Sequence, residues 1–287
     1  MEDSGVDAVA VATPPAIQPE IVLTALKQAK AVFAEKPMAL NLAKADEMTH
    51  CAADSGRPNM VDFNFTEITS WKKARQVLLA GQIGEVRHAT VHWQVENYTN
   101  RMGLTNWKST REYGGGTLFN FVSHCLHYLE WFLGPIVGLS SKLFRIPHDE
   151  RTGDTTVILC LSLHSGAAAS LSVSSAAYLG SGHRVEFYGN RGTLVLENST
   201  ADYMRGFRIL IGTRPDTELK PLLVEDPEER LYADGRILPA SRLARRFLDW
   251  IAKGFPARPD FSDGLRVQQL LHAAQRSHQT GKWVSIG

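Results

Sequence analysis

The pattern of apolar and polar positions divides the chain into a first part where strands and helices alternate and a second part rich in strands. In the first part, short apolar runs predict strands, and apolar residues at helical spacing predict helices. The predicted strands are 6–12, 31–34 and 59–63, and the predicted helices are 17–29, 42–53 and 71–80. Because strand and helix alternate, we expect right-handed crossovers around a parallel sheet.

The pattern changes after residues 81–84, Gly-Gln-Ile-Gly. Residues 86–95 alternate between apolar and polar, which is typical of a half-buried strand in an antiparallel sheet. A polar and aromatic loop (96–113) and three glycines (114–116) lead into a strong apolar helix, 117–133. The remaining predicted elements are strands 137–144, 155–163, 167–177, 184–189, 193–197 and 207–211, helices 241–253 and 262–280, and a last short strand, 283–286. Turn residues between the strands favour a meander, and the fold class is α/β plus α+β.

Composition excludes several classes of protein. The 287 residues carry a net charge of +1, and no basic run or long apolar run is present, so we expect neither nucleic acid nor a membrane as a partner. Cys51, Cys125 and Cys160 are few and widely spaced, which predicts three buried free thiols and no disulfide framework. The acidic start, Met-Glu-Asp-Ser-Gly, does not resemble a signal peptide. We therefore expect a soluble, cytoplasmic protein.

The ends of the first two strands are candidate ligand sites. The first strand closes on Ala12-Thr13-Pro14 and the second on Glu35-Lys36-Pro37. Ligands of open parallel sheets bind just beyond the carboxyl ends of the strands, where Lys36 lies. A desolvated lysine has a lowered pKa and can exchange a proton. The alternative is a solvated lysine that simply ends a strand.

The helix after the three glycines carries the second candidate group. Asn120, His124 and His127 lie at i, i+4 and i+7, so we expect them to share one face. Histidine is the natural acid or base at neutral pH. The alternative is a pair of histidines satisfied in the core or at the surface. The spacing His124, His127, Glu130 also allows a metal, but no further ligand cluster supports it, so we predict no metal site.

The loop 96–113 is the third candidate. Its length is typical of a functional loop, and Trp107-Lys108 could line a pocket for a polyhydroxylated ligand or a nicotinamide ring. An ordinary solvated surface loop is the alternative.

Five segments together resemble the glucose–fructose oxidoreductase / inositol dehydrogenase / MocA (Gfo/Idh/MocA) family of NAD(P)-dependent dehydrogenases. They are DAVAVATP at 7–14, EKP at 35–37, GQIGEV at 81–86, GGGTLFN at 114–120 continuing to His124, and DGLRV at 263–267. The order and separation of these segments make the resemblance specific, and it extends to the C-terminus.

The resemblance implies a partial Rossmann domain over 1–66 and a substrate-binding and oligomerisation domain over 67–287, with a mostly antiparallel open sheet and helices on one face. The C-terminal helix would pack back on the first domain. The activity implied is hydride transfer between NAD or NADP and a sugar, cyclitol or related polyhydroxy substrate. Homodimers or homotetramers would form through the second sheet.

The resemblance also implies roles for single residues. Lys36 would contact both substrate and cofactor, and His124 would take the hydroxyl proton. Asn120 occupies the position of the family's substrate-holding aspartate, and His127 would lie on the substrate side. The implied cofactor contacts are Ala12, Thr13, Pro14, Glu35, Lys36, Trp107 and Lys108.

The chain departs from the family pattern at three points. It has no Gly-x-Gly-x-x-Gly turn and lacks the roughly sixty residues that normally carry it. Pro15 and Gln18 replace the usual Asn and His, and Asn120 cannot ionise. Three hypotheses follow: a dehydrogenase whose true start lies upstream, a non-catalytic sugar-binding or oligomerisation module, and a hydrolase or lyase that uses transient redox chemistry.

Overall fold

The N-terminal part of the chain forms a small parallel sheet. A computed structural model describes residues 5–287. Strands β1 (Ala8–Val11), β2 (Ala31–Ala34) and β3 (Asn59–Val61) lie side by side in that order, and both pairings are parallel. Helices α1 (Gln18–Lys27) and α2 (Leu42–Ser55) connect them. The predicted alternation of strand and helix is confirmed, although β1 and β3 are shorter than expected.

Local sequence signals explain where these helices stop and start. The Asn41 side chain caps α2 by accepting a hydrogen bond from the backbone N–H of Lys44, and Gly56 ends the helix in the left-handed conformation. After β3 the chain turns through a 3-10 helix, Asn64–Glu67, that was not predicted, and enters α3 (Thr69–Leu79).

The second part is built on a nine-stranded sheet. After β4 (Val86–Gln94) and the one-turn helix α4 (Tyr98–Arg101) comes α5 (Ser123–Leu133). The other strands are β5 (Ile136–Phe144), β6 (Thr156–Leu163), β7 (Ala168–Ser174), β8 (Gly182–Gly189), β9 (Gly192–Asn198), β10 (Arg208–Thr213), β11 (Lys220–Leu222) and β12 (Val284–Ser285). Their order is β11-β10-β9-β8-β4-β7-β6-β5-β12.

The prediction of a simple meander is wrong in one respect. β5, β6 and β7 form one meander and β8 to β11 form another, but β4 lies between them and runs parallel to β7. The chain crosses over β4 so that β8 pairs with its far edge. Both edges of β4 thereby gain hydrogen-bonded neighbours, which no local pattern specifies. All other neighbouring pairs are antiparallel, as expected.

The two faces of the large sheet differ. The inner face packs against helices around large buried side chains such as Trp71, Trp93 and Tyr128. On the outer face, alternate positions of β4 carry His88, Thr90 and His92.

The three cysteines are free, as expected, but they are not all buried. Cys125 is buried and Cys51 is half-buried, whereas Cys160 is exposed. The prediction was wrong for Cys160 because its position in β6 alternates outward, on a strand whose residues are buried only at every second place.

The C-terminal segment joins both sheets. α6 (Ile237–Lys253) packs on the small sheet, where the Phe33 and Phe247 rings lie 5.7 Å apart. α7 (Phe261–Thr280) lies against α2, and Thr49 donates a hydrogen bond to the carbonyl of Phe261. β12 then adds to the edge of β5. Over residues 5–287, no helix is both long enough and apolar enough to span a membrane.

Candidate active site

Lys36 lies at the carboxyl end of β2 and reaches across to the second part of the chain. Its Nζ donates a 2.9 Å hydrogen bond to the backbone carbonyl of Asn120, and its side chain is half-buried. Burial lowers the pKa of Lys36, opposed by the charges of Glu35 and Asp62 and assisted by Lys108. Lys36 is therefore not the solvated lysine of the alternative interpretation.

Gln18 holds the turn that carries Lys36, and the sequence reasoning missed this role. Its buried Nε2 lies within hydrogen-bond distance of the carbonyls of Glu35 (2.7 Å), Met38 (3.0 Å) and Pro37 (3.3 Å). The sequence had marked Gln18 only as a replacement for the family's usual His, without indicating what its side chain binds.

The helix predicted at 117–133 begins with a π-helical turn, Leu118–Val122, before α5. Asp154, also missed in the sequence, fixes this turn by accepting hydrogen bonds of 2.8 Å from the backbone N–H groups of Thr117 and Leu118. Burial raises the pKa of Asp154 to about 6. π-Helical turns occur frequently at functional sites.

The glycines before this turn allow close backbone approach. A Cβ at Gly114, where φ is +81°, would lie 2.6 Å from Cγ of Pro15. A Cβ at Gly115 would lie 2.4 Å from the carbonyl oxygen of Trp107. The run therefore brings the loop 96–113, the end of β1 and the π-helical turn together.

The side chain of Asn120 is oriented by the same turn. Its Nδ2 donates to the carbonyl of Gly116 at 2.8 Å and more weakly to that of Lys108 at 3.4 Å. An amide nitrogen that is committed to backbone carbonyls leaves Oδ1 as an acceptor. Asn120 can therefore accept a hydrogen bond from a hydroxyl group.

His124 is only 8% exposed and lies edge-on to the rings of Phe63 and Phe65. Its Nδ1 is buried and has no hydrogen-bond partner in the part of the chain that the structure describes. Burial, followed by the positive charge of Lys36, lowers the pKa of His124 well below 6.5. The ring is therefore neutral at physiological pH, and Nε2 is the nitrogen that can exchange a proton with a ligand.

His127 faces a different part of the molecule. Its ring stacks on Phe63 with centroids 4.4 Å apart, and burial lowers its pKa to about 4. It lines a cavity of about 710 Å³ together with Glu130, Asp263 and Arg266, which the other three candidates do not line. The π-helical turn lies between Asn120 and both histidines, so regular α-helical spacing does not describe how Asn120 is placed relative to them. Glu130 binds Arg266, and no three potential metal ligands cluster within residues 5–287.

The residues predicted to contact a cofactor lie on two sides of Lys36. Just beyond β1, Oγ1 of Thr13 is buried without a hydrogen-bond partner among residues 5–287, and Glu35 accepts a hydrogen bond from the Lys36 backbone N–H. On the other side, Nζ of Lys108 lies 5.5 Å from the Trp107 ring centroid. The unpartnered Thr13 hydroxyl fits a polar group such as a nicotinamide amide.

Asp62 completes the charged cluster and was also missed. It follows β3 and is 9% exposed, and its Oδ1 is buried without a hydrogen-bond partner among the described residues, 5–287. Burial raises the pKa of Asp62 to about 7, and Glu35 adds to the effect while Lys36 opposes it. In the sequence, Asp62 was visible as an acid near the end of predicted strand 59–63, and Lys36 follows predicted strand 31–34.

Two family models match nearly the whole chain. Residues 1–63 match the NAD-binding Rossmann-fold domain of the Gfo/Idh/MocA oxidoreductases, and residues 75–286 match the C-terminal alpha/beta domain of that family. The chain belongs to the Gfo/Idh/MocA oxidoreductase family. The resemblance inferred from the sequence is thereby confirmed, and so is the fold class.

Known members illustrate what this chain is similar to. An uncharacterized oxidoreductase of Synechocystis is 31% identical over 98% of this chain and 79% of its own. Inositol 2-dehydrogenase of Rhizobium meliloti is 25% identical over 98% of this chain and 81% of its own. A levoglucosan dehydrogenase structure with NADH and levoglucosan has the same fold, with a TM-score of 0.88 at 18% identity over 99% of this chain and 81% of its own.

Proposed function

We propose that this Gfo/Idh/MocA protein is an NAD(P)-dependent dehydrogenase that oxidises a CH–OH group of a sugar, a cyclitol or a related polyhydroxy compound. The observation that carries the proposal is the meeting of three groups: Lys36 from β2, the Asn120 carbonyl that binds it, and the neutral His124 whose pKa Lys36 lowers. An ammonium donor whose charge acts on a neutral imidazole acceptor suits proton removal from a hydroxyl group.

The chain's own residues have separable tasks. Lys36 donates a hydrogen bond to the reacting oxygen, Oδ1 of Asn120 accepts one from a substrate hydroxyl, and Nε2 of His124 takes the proton of the reacting hydroxyl. Phe63 and Phe65 keep water from His124. A nicotinamide cofactor supplies the acceptor for the hydride when bound. Thr13, Pro14, Glu35 and Trp107 would hold it, with Ala12 and Lys108 at the exposed margin.

The substrate class rests on the relatives. Inositol 2-dehydrogenase and levoglucosan dehydrogenase are named for polyhydroxy substrates, and this chain covers about four-fifths of each of them. Assembly into homodimers or homotetramers through the large sheet and a location in the cytoplasm stay predictions.

Single substitutions at Lys36 and His124 test the proposal. K36A and H124A should each lower kcat for NAD(P)H formation by about 10²–10⁴-fold, because each removes an acid or base group. K44A and H50A are matched controls, since both residues are exposed on α2, and they should leave kcat unchanged. The measurement is absorbance of NADH or NADPH across a panel of inositols and aldoses. Full activity of both K36A and H124A would refute the site.

The non-catalytic alternative is favoured by Asn120, which cannot ionise. A sugar-binding module should bind a polyol without binding NADH or NADPH. Titration of the purified protein with each dinucleotide, followed by nicotinamide fluorescence, separates the two functions. Saturable binding supports the dehydrogenase, and polyol binding without it supports the module.

A further inference from the structure

We propose that Asp62 is a positioning residue that keeps Lys36 protonated, supplying beside the lysine a negative charge that Asn120 cannot provide. The inference rests on the proposed function of Lys36 and assigns a role to a residue outside the motifs that carry the family resemblance.

The backbone places Asp62 at the same end of the sheet as Lys36. In the parallel pairing of β2 and β3, Ala34 lies opposite Val61, and the N–H of Asp62 donates 2.9 Å to the carbonyl of Ala34. Asp62 is therefore the first residue beyond β3, as Glu35 and Lys36 are beyond β2. The ends of adjacent parallel strands meet at one edge, where ligands bind.

One oxygen of the Asp62 carboxyl, Oδ1, has no hydrogen-bond partner among residues 5–287 that accounts for its burial. A buried carboxyl oxygen without a hydrogen bond costs stability, so its presence calls for a reason. Asp62 lies at the end of the strand beside the one that Lys36 follows, and its charge favours the ammonium form of Lys36 through the low-dielectric interior.

The other groups around Lys36 have opposing effects on its pKa. Glu35 beside it favours the ammonium, whereas Lys108 from the loop and burial itself favour the free amine. His124, the remaining titratable neighbour, is neutral. With an amide at position 120, an ionised Asp62 is the carboxylate that joins Glu35 in holding the proton on Lys36. The ammonium can then remain bound to the Asn120 carbonyl and present a proton to a substrate oxygen.

Competitive acetylation of Lys36, read by mass spectrometry over a range of pH, tests the inference without cofactor or substrate. The pH midpoint of labelling reports the pKa of the amine, and the plateau at high pH reports its accessibility. In D62N the midpoint should move to lower pH, with labelling near neutral pH at least severalfold faster, while the plateau stays unchanged. A structural defect would change the plateau instead.

D54N is the matched control, because Asp54 is exposed on α2, and it should leave the Lys36 midpoint in place. Should D62N fail to fold, D62S takes its place, because serine also removes the charge and should move the midpoint in the same direction. An unchanged midpoint in a folded D62N or D62S variant overturns the inference. Neither result depends on dehydrogenase activity, so the proposed function fails or stands separately.

Discussion

At the scale of single residues, Asn120 is the position where this chain differs most informatively from the resemblance seen in its sequence. The Asn120 backbone carbonyl binds Lys36 and its amide nitrogen binds Gly116, so the residue is integral to the site rather than a vestige. Its Oδ1 can accept a hydrogen bond, but it cannot raise the basicity of His124 by charge.

Replacing Asn120 by aspartate tests how far the site depends on that charge. N120D should raise kcat, by about tenfold if the amide impairs proton transfer, because a carboxylate favours the protonated forms of His124 and Lys36. The cost is loss of the hydrogen bond to Gly116. Steady-state kinetics with separate kcat and KM values is the measurement. N41D is a suitable control, since aspartate caps a helix as well as asparagine does. An unchanged kcat would indicate that the site has adapted to the amide.

At the scale of elements, the site depends on the three glycines, 114–116, that lead into the π-helical turn Leu118–Val122. Gly114 occupies the left-handed region against Pro15 and Leu40, which joins the end of β1 to the loop 96–113. Gly56 also lies in the left-handed region, at the end of α2, but has open space around it. Substitutions at Gly114 and Gly56 can therefore separate the cost of backbone strain from the cost of crowding around an added Cβ.

G56A should cost about 1–2 kcal/mol of unfolding free energy, because alanine is strained in the left-handed region. G114A should cost more than G56A, typically a further 1–3 kcal/mol, because its Cβ would lie 2.6 Å from Pro15 and 2.9 Å from Leu40. Urea denaturation of both variants gives the comparison. Equal losses would show that the packing of Gly114 on Pro15 contributes little.

Most elements could be predicted from the sequence, because their causes are local. Alternation in β4 and the repeat in α1 and α2 reflect burial of one face, and Gly56 and Gly134 mark helix ends. The π-helical turn could not be predicted, since its stabilising partners, Lys36 and Asp154, are distant in sequence. The crossing of β8 over β4 and the exposure of Cys160 are likewise set by sheet order. Lys36 and His124 were recognisable by motif, whereas Gln18 was visible only as a departure from the family pattern and Asp62 lies outside the motifs.

At the scale of the whole molecule, two groups of buried titratable residues respond to pH in opposite directions. His124, His127 and His183 have folded-state pKa values below 6.5, so the unfolded chain binds more protons below that pH and stability falls with acid. Asp62 and Asp154 have raised pKa values, of about 7 and about 6, so their contribution to stability is lost as pH rises through those values. Stability should therefore vary less with pH than either group alone implies.

Comparison with a His183 variant isolates one of these contributions. Burial lowers the pKa of His183 to about 3, and the ring is hydrogen-bonded to Tyr128. H183Q should be destabilised at neutral pH, but its deficit relative to wild type should shrink by about 1.4 kcal/mol per pH unit as pH falls below 6.5. Urea midpoints from neutral pH downward measure it. A deficit that stays constant with pH would mean that the wild-type His183 ring has the same pKa in the folded and the unfolded chain.

The carbonyl of Lys108 accepts a hydrogen bond from the backbone N–H of Gly116 and a weaker one from the side-chain amide of Asn120. The backbone carbonyl of Asn120 in turn accepts a hydrogen bond from Lys36. The loop 96–113, which would select the ligand, is therefore connected by hydrogen bonds to Lys36, which would act on that ligand. The loop could be replaced by that of another family member to change which polyol is accepted. Such a replacement would disturb the position of Lys36 unless residues 106–120 were exchanged as one segment. In relatives that share these hydrogen bonds, we expect substrate preference to change by replacement of loop side chains rather than by insertion or deletion of residues in the loop.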